Sequence, residues 1–126
     1  MDIYLLDLSS AGIRGECRLE GYKDTIEALS FSYDTAFAAS GRSGGADFSI
    51  TKSLNVSSVA LMDYCYQSKV IPSVTLTVGT RDGDLVTKGT VYTLTNSIIT
   101  SISTSGGGGI PQETVTFSYT SISKRP

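Results

Sequence analysis

Histidine is absent from the 126 residues, which removes the commonest general base and the commonest metal ligand together. A Ser-His-Asp or Cys-His nucleophile is therefore impossible, and a metal site would need a cluster of carboxylates. The nearest such grouping is Asp82 with Asp84. Asp82-Gly83-Asp84 lacks the further ligands of a calcium loop and reads as an exposed turn. Two glycine-rich stretches, Gly41 to Gly45 and Gly106 to Gly109, invite comparison with phosphate-binding loops. Neither carries a Gly-Lys-Ser/Thr ending or stands between a strand and a helix start, so both read as flexible loops. The two cysteines, Cys17 and Cys65, have no metal-like spacing and read as buried free thiols rather than a disulfide. No catalytic, metal-binding or cofactor-binding residue is assigned, and the chain reads as a non-enzyme.

What the sequence does hold in quantity is neutral hydroxyl. Serine and threonine number 34, and many alternate with apolar residues. Ser73 to Val78 sets Val74, Leu76 and Val78 on one side and hydroxyls on the other. Thr114 to Thr120 does the same with Val115, Phe117 and Tyr119, and Leu29 to Tyr33 repeats it with Phe31 and Tyr33. A period of two with β-branched and aromatic residues marks strands with one buried and one wet face. Tyr4, Phe31, Tyr33, Tyr92, Phe117 and Tyr119 are then core or interface residues rather than an exposed stacking platform. The hydroxyl faces are either solvated sheet or the polar wall of a water-filled channel.

Arg81-Asp82-Gly83-Asp84 predicts a tight hairpin with Asp-Gly at the left-handed positions. Gly106 to Gly109 with Ile110-Pro111 connects the strand through Ile98 to Ser103 with the last strand. Ser40 to Asp47 forms a loop between the Phe31 strand and Phe48-Ser49-Ile50. Asn55 to Lys69 predicts one helix of about three turns: it opens on capping residues, and Val59, Met62, Cys65 and Tyr66 recur at helical spacing. Lys69 near its end suits the negative pole of the helix dipole. The expected fold is mainly β, a small antiparallel β-barrel flanked by one short α-helix whose apolar stripe covers an open end, since closure removes exposed sheet edges. Residues 1–126 are too few for two independent cores and are read as a single domain.

Ten basic and twelve acidic residues give a net charge of -2, with no basic stripe for a nucleic acid to follow. No run approaches the length needed to span a bilayer. Met1-Asp2-Ile3-Tyr4-Leu5-Leu6-Asp7 lacks a basic n-region and reads as a first strand, so a general secretory leader is not expected.

Residue order carries a further signal. Lys52 precedes Ser57-Ser58-Val59-Ala60-Leu61-Met62, with Cys65 behind it; Lys69-Val70-Ile71-Pro72 leads into Val74 to Thr77. Ile99 to Thr104, the glycine run and Glu113 to Tyr119 follow, while Gly15-Glu16 and Phe31-Ser32-Tyr33 stand upstream. From about Ile3 to Ile122 this order resembles the Hcp family, the ring-forming tube proteins of bacterial type VI secretion. Val59 stands where the family often has proline, and Phe31 and Tyr33 replace tryptophans frequent there.

The resemblance implies a barrel similar to phage tail-tube proteins, hexameric rings stacked into a tube, and sheath, baseplate and spike proteins as partners. It also implies small effectors carried in the lumen, and delivery from the cytoplasm into a target cell without a signal peptide. A C-terminal toxin extension is not expected. Ser30 and Ser32, opposite Phe31 and Tyr33, would face the lumen and its cargo. Gly41, Arg42, Ser43, Gly44 and Gly45 would lie in the loop that reaches the adjoining ring. A tail-tube protein of a phage or phage-like contractile particle is the alternative of the same architecture. A β-sandwich adhesin or carbohydrate-binding module is the alternative of another class.

Overall fold

The alternating segments become strands because one face of each can be buried while the hydroxyl face stays wet. In the computed structural model, which describes residues 2–19, 21–33, 47–55, 57–83, 85–106 and 109–126, they are β1 (Asp2–Asp7), β2 (Ile26–Ala28), β3 (Ser30–Tyr33) and β4 (Asp47–Ser53), then β5 (Ile71–Asp82), β6 (Leu85–Ser105), β7 (Gln112–Ser118) and β8 (Ser121–Arg125). One helix, α1 (Ser58–Gln67), lies between β4 and β5. All strand pairs are antiparallel, in the order β2-β1-β5-β6-β7-β4-β3, with β8 also paired to β6.

Two chain segments turn this order into a curled wall. The first is β6, whose first half pairs with β5 and β8 and whose second half pairs with β7. It bends where Asn96 adopts φ 51°, and an extra residue at Thr100 breaks the register against β7. The second is the run β2–β3, interrupted only at Leu29: β2 pairs with β1, and β3 pairs with β4. Strands that pass from one sheet to another through a bend or bulge are the standard corners of such packings. The expected barrel therefore takes a particular form. Strand pairing leaves the sheet open, and the covalent continuity of β2 into β3, with Leu29 N–H donating to Thr51 O at 2.6 Å, brings its two ends together.

Inside the curl lie Leu6, Ile26, Phe48, Ile50, Ile71, Val74, Leu76, Tyr92, Leu94, Ile99, Val115 and Phe117. β1 is buried on both faces, because Ile3 and Leu5 pack outward against Cys17 and Leu19 of the following segment. That segment stays close through Gly15, whose N–H donates to Asp24 O at 2.8 Å; a Cβ there would sit 2.2 Å from Thr25 O. The alternation in the sequence predicts a last strand that ends at Thr120 and a separate strand over Ile98 to Ser103. In fact β6 is continuous from Leu85, and β8 follows β7 with Thr120 N–H and Oγ1 both donating to Thr95 O. The hairpin forms with Gly83 left-handed at φ 61°, but Asp82 does not share that conformation: it is still paired to Leu85, so the turn begins one residue later than expected. Asp84 lies outside the described residues.

Against the apolar interior stands, among the described residues, one buried ion pair. Lys52 of β4 faces Glu113 of β7 directly across the ladder, with 0% and 3% side-chain exposure, and its ammonium donates to Glu113 Oε1. Lys52 Nζ also donates to Ser53 O at 3.1 Å and Ser58 Oγ at 3.2 Å, so its three N–H bonds are all used. Ser58 Oγ donates to Glu113 Oε1 at 2.8 Å and accepts from Asn55 N–H at 3.0 Å. The start of α1 is thereby tied to two strands. Replacing Lys52 by methionine strands a carboxylate in the interior, and unfolding in urea should show a loss of about 3–5 kcal/mol. A loss under about 1 kcal/mol would mean that water reaches Glu113.

Candidate functional site

β3, β4, β7 and the second half of β6 lie side by side, and their outward faces join into one surface. Ser32 stands opposite Ser49, Ser49 opposite Thr116, and Thr116 opposite Ser101. One step along, Ser30, Thr51, Thr114 and Ser103 form a second row in the same way. Cross-strand pairs within the rows are bonded: Ser49 Oγ to Thr116 Oγ1 at 3.1 Å and Thr51 Oγ1 to Thr114 Oγ1 at 3.3 Å. Ser53, Gln112 and Ser105 extend the face beyond Thr51 and Thr114. Ser30, Ser32, Ser101 and Ser103 are exposed at its two sides.

The chemistry of this face is narrow. Its rows hold donors and acceptors at every position and no charge; the first carboxylate, Asp47, comes only at the far end of β4, opposite Ser118. Water competes with each hydroxyl, so a molecule against the wall is held by many weak, replaceable bonds. Ser30 and Ser32 thus sit on one surface with hydroxyls that the sequence does not visibly associate with them, and they point away from Phe31 and Tyr33. Gly41, Arg42, Ser43, Gly44 and Gly45 lie outside the described residues. Among the described residues no group of three or more Cys, Asp or Glu side chains is placed to hold a metal ion, and no helix is long and apolar enough to cross a membrane.

Behind the wall the aromatics interlock. Phe31 lies 5.4 Å from Tyr4, 5.6 Å from Tyr92 and 6.0 Å from Phe48 between ring centroids, and Tyr33 lies 5.1 Å from Tyr92. A hydrogen bond with Tyr92, and then burial, raises the Tyr33 phenol above its ordinary pKa of 10.0. Burial, followed by the charges of Tyr33 and Asp47, raises Tyr119 likewise. The Tyr119 hydroxyl is shielded from solvent without a hydrogen-bond partner.

The helix corrects the sequence reading. Of the expected buried stripe, Val59, Met62 and Tyr66 are 79%, 64% and 90% exposed. Leu61 is the buried residue, with Ala60, Tyr64 and Cys65 packed partly against the core, and Tyr64 Oη donates to Ala11 O at 3.0 Å. Cys65 is half-buried, whereas Cys17 is buried; both thiols are free. Lys69 lies past the helix end, which Ser68 closes at φ 52°, and its ammonium stands 5.1 Å above the Tyr64 ring.

A curled antiparallel sheet with one helix between its fourth and fifth strands can be compared with known proteins over its whole length. The profile of the Hcp family, described as type VI secretion system effector, matches residues 7–125. The chain belongs to the Hcp family. Hcp1 from Salmonella typhimurium has a TM-score of 0.83 at 24% identity, covering 98% of this chain and 84% of that one. A type VI secretion system effector from Yersinia pestis has a TM-score of 0.76 at 25% identity, covering 98% and 88%. The secreted protein Hcp3 from Pseudomonas aeruginosa shares the fold at 14% identity, with a TM-score of 0.74 over 99% and 97%. No curated protein matches the sequence at a significant level. Hcp is the type VI secretion tube family, and not one known for enzymes.

The raised phenols give this Hcp protein an alkaline weakness. Unfolded tyrosines ionise first, so the stability that Tyr33 and Tyr119 contribute is fully present below about pH 10 and is lost as pH rises through their higher folded values. Replacing Tyr119 by phenylalanine removes an unpartnered hydroxyl. Urea unfolding at pH 7 should change by less than about 1 kcal/mol, and the fall in stability above about pH 10 should become shallower. An unaltered alkaline fall would assign the effect elsewhere.

Proposed function

We propose that this chain is a structural subunit of the type VI secretion inner tube. Six copies close into a ring, rings stack into a tube, and small effector proteins ride in the lumen to a target cell. The observation that carries this reading is the uncharged hydroxyl wall on a curled sheet of a Hcp-family chain. A conduit must wet its contents without gripping them. A wall of fixed charges would bind oppositely charged cargo strongly in a confined space, and an apolar wall would adhere to any exposed apolar patch. Rows of serine and threonine do neither. On this reading Ser30 and Ser32 face the lumen, together with Ser49, Thr51, Thr114 and Thr116.

Ring closure calls for a heterologous contact, one face of the subunit meeting a different face of the next. The six-fold number comes from the resemblance to the family. So do stacking through the loop that holds Gly41 to Gly45, and assembly with sheath, baseplate and spike. The chain works as one tube domain without catalysis, is made in the cytoplasm, and leaves it by the secretion machine itself.

Electron microscopy of the purified protein tests the assembly: six-fold annular particles with a central hole are expected, and a protomer that stays single at high concentration overturns the proposal. Deleting residues 41–45 should leave rings but remove stacked tubes. Ser32→Trp should preserve the rings and reduce retention of a bound effector, measured by co-purification; rings with unchanged retention would take Ser32 off the lumen.

A further inference from the structure

The face patterns of β4 and β7 do not by themselves choose one alignment. Phe48, Ile50 and Lys52 point inward from β4; Glu113, Val115 and Phe117 point inward from β7. A slip by one residue would turn every apolar group outward and is excluded. A slip by two keeps the pattern. In one direction Phe48 would face Val115 and Ile50 would face position 113; in the other Ile50 would face Phe117 and Phe48 would face Tyr119. On the outer face Ser49 and Thr51 would still meet serine, threonine or glutamine. On the core face, Lys52 and Glu113 are what tell these alignments apart. Slipped one way, Lys52 comes opposite Pro111; slipped the other, it comes opposite Val115. In both cases two charges lose each other inside the fold.

We propose that the buried Lys52–Glu113 pair, with Ser58, is a register lock: it selects one alignment of β4 on β7 rather than adding net stability. Taking both charges out of water offsets most of what their attraction returns, whereas any alignment that separates them is heavily disfavoured. Fixing register is the best-attested use of a buried polar contact of this kind. The lock has a structural reach beyond its own strands. It holds Ser49 against Thr116 and Thr51 against Thr114, and through Ser58 it sets where α1 begins.

The test is the full-length double variant Lys52→Met/Glu113→Leu, which keeps the core face apolar in every alignment. It should fold, shown by far-ultraviolet circular dichroism and a cooperative urea transition. Its amide spectrum should show more than one signal for residues of β4 and β7, with cross-strand backbone (Hα–Hα and amide–amide) nuclear Overhauser contacts of a two-residue slip, such as Ile50 to Phe117, beside those of Ile50 to Val115. One set of signals with Ile50 opposite Val115 alone would overturn the lock. Failure of the double variant to fold would overturn it too, since the pair would then be a source of stability and not of selection. This outcome is independent of ring formation, which can be present or absent without altering the alignment.

Discussion

Most of the architecture depends on a constraint at one point: two opposite charges that share the interior with a hydroxyl. Lys52, Glu113 and Ser58 come from a strand, a second strand 61 residues away and the helix between them in sequence. Each polar hydrogen of the ammonium has an acceptor, and the serine both donates and accepts. Such completeness is what makes a buried charge tolerable, since an unmet donor in the interior forfeits its hydration without return. From that point outward the geometry of the wall follows. β4 is aligned on β7, β7 on the second half of β6, and β3 on β4.

Curvature has a separate origin. A sheet of this many strands closes on its core only if some strands change partners, and here β6 and the β2–β3 run do so. The bends sit where backbone chemistry permits them. Asn96 accepts a left-handed conformation because its short amide side chain tolerates it. Gly79 and Gly89 let β5 and β6 approach at the irregular step after Val78, where a Cβ on Gly79 would stand 2.6 Å from Thr87 O. The curl thus comes from local backbone freedom, whereas the alignment comes from a distant pair of charges.

These origins explain what was legible in the sequence. Alternation of hydroxyl and apolar residues identified the strands at Ser73, Leu29 and Thr114 and the facing of Ser30 and Ser32, because a period of two is a local property. The Asp-Gly hairpin was legible for the same reason. The helix face was legible only at Cys65: Val59, Met62, Cys65 and Tyr66 repeat at helical spacing, but so do Leu61, Tyr64 and Cys65 within the same ten residues. Only the tertiary partner decides which stripe is covered, and here Ala11 and the core claim Tyr64 and Leu61. Joining of residues 85–105 into one strand was hidden by Lys88-Gly89, which resembles a break and is an irregular step. β8 was missed because Ser121 to Arg125 buries almost nothing, Ile122 alone being half-buried, and so carries little periodic signal. The ion pair left no local trace at all, since Lys52 and Glu113 meet only after folding.

The same division bears on the hydroxyl wall. Serine and threonine rows look interchangeable in sequence, and they are interchangeable as solvated surface, which is why sheets of this composition are prone to ambiguous pairing. A flat polar wall therefore needs its alignment specified from the other face. In this protein the side that touches water is uniform and the side that touches the core carries the distinction: aromatic rings in contact behind β3, and a single charged pair behind Thr51 and Thr114. Uniformity outside is affordable only because discrimination is concentrated inside. A charged outer face could have set the alignment by cross-strand ion pairs at the surface, each contributing little in water, but it would no longer have been a neutral wall. Moving the charges into the core keeps both properties in one sheet.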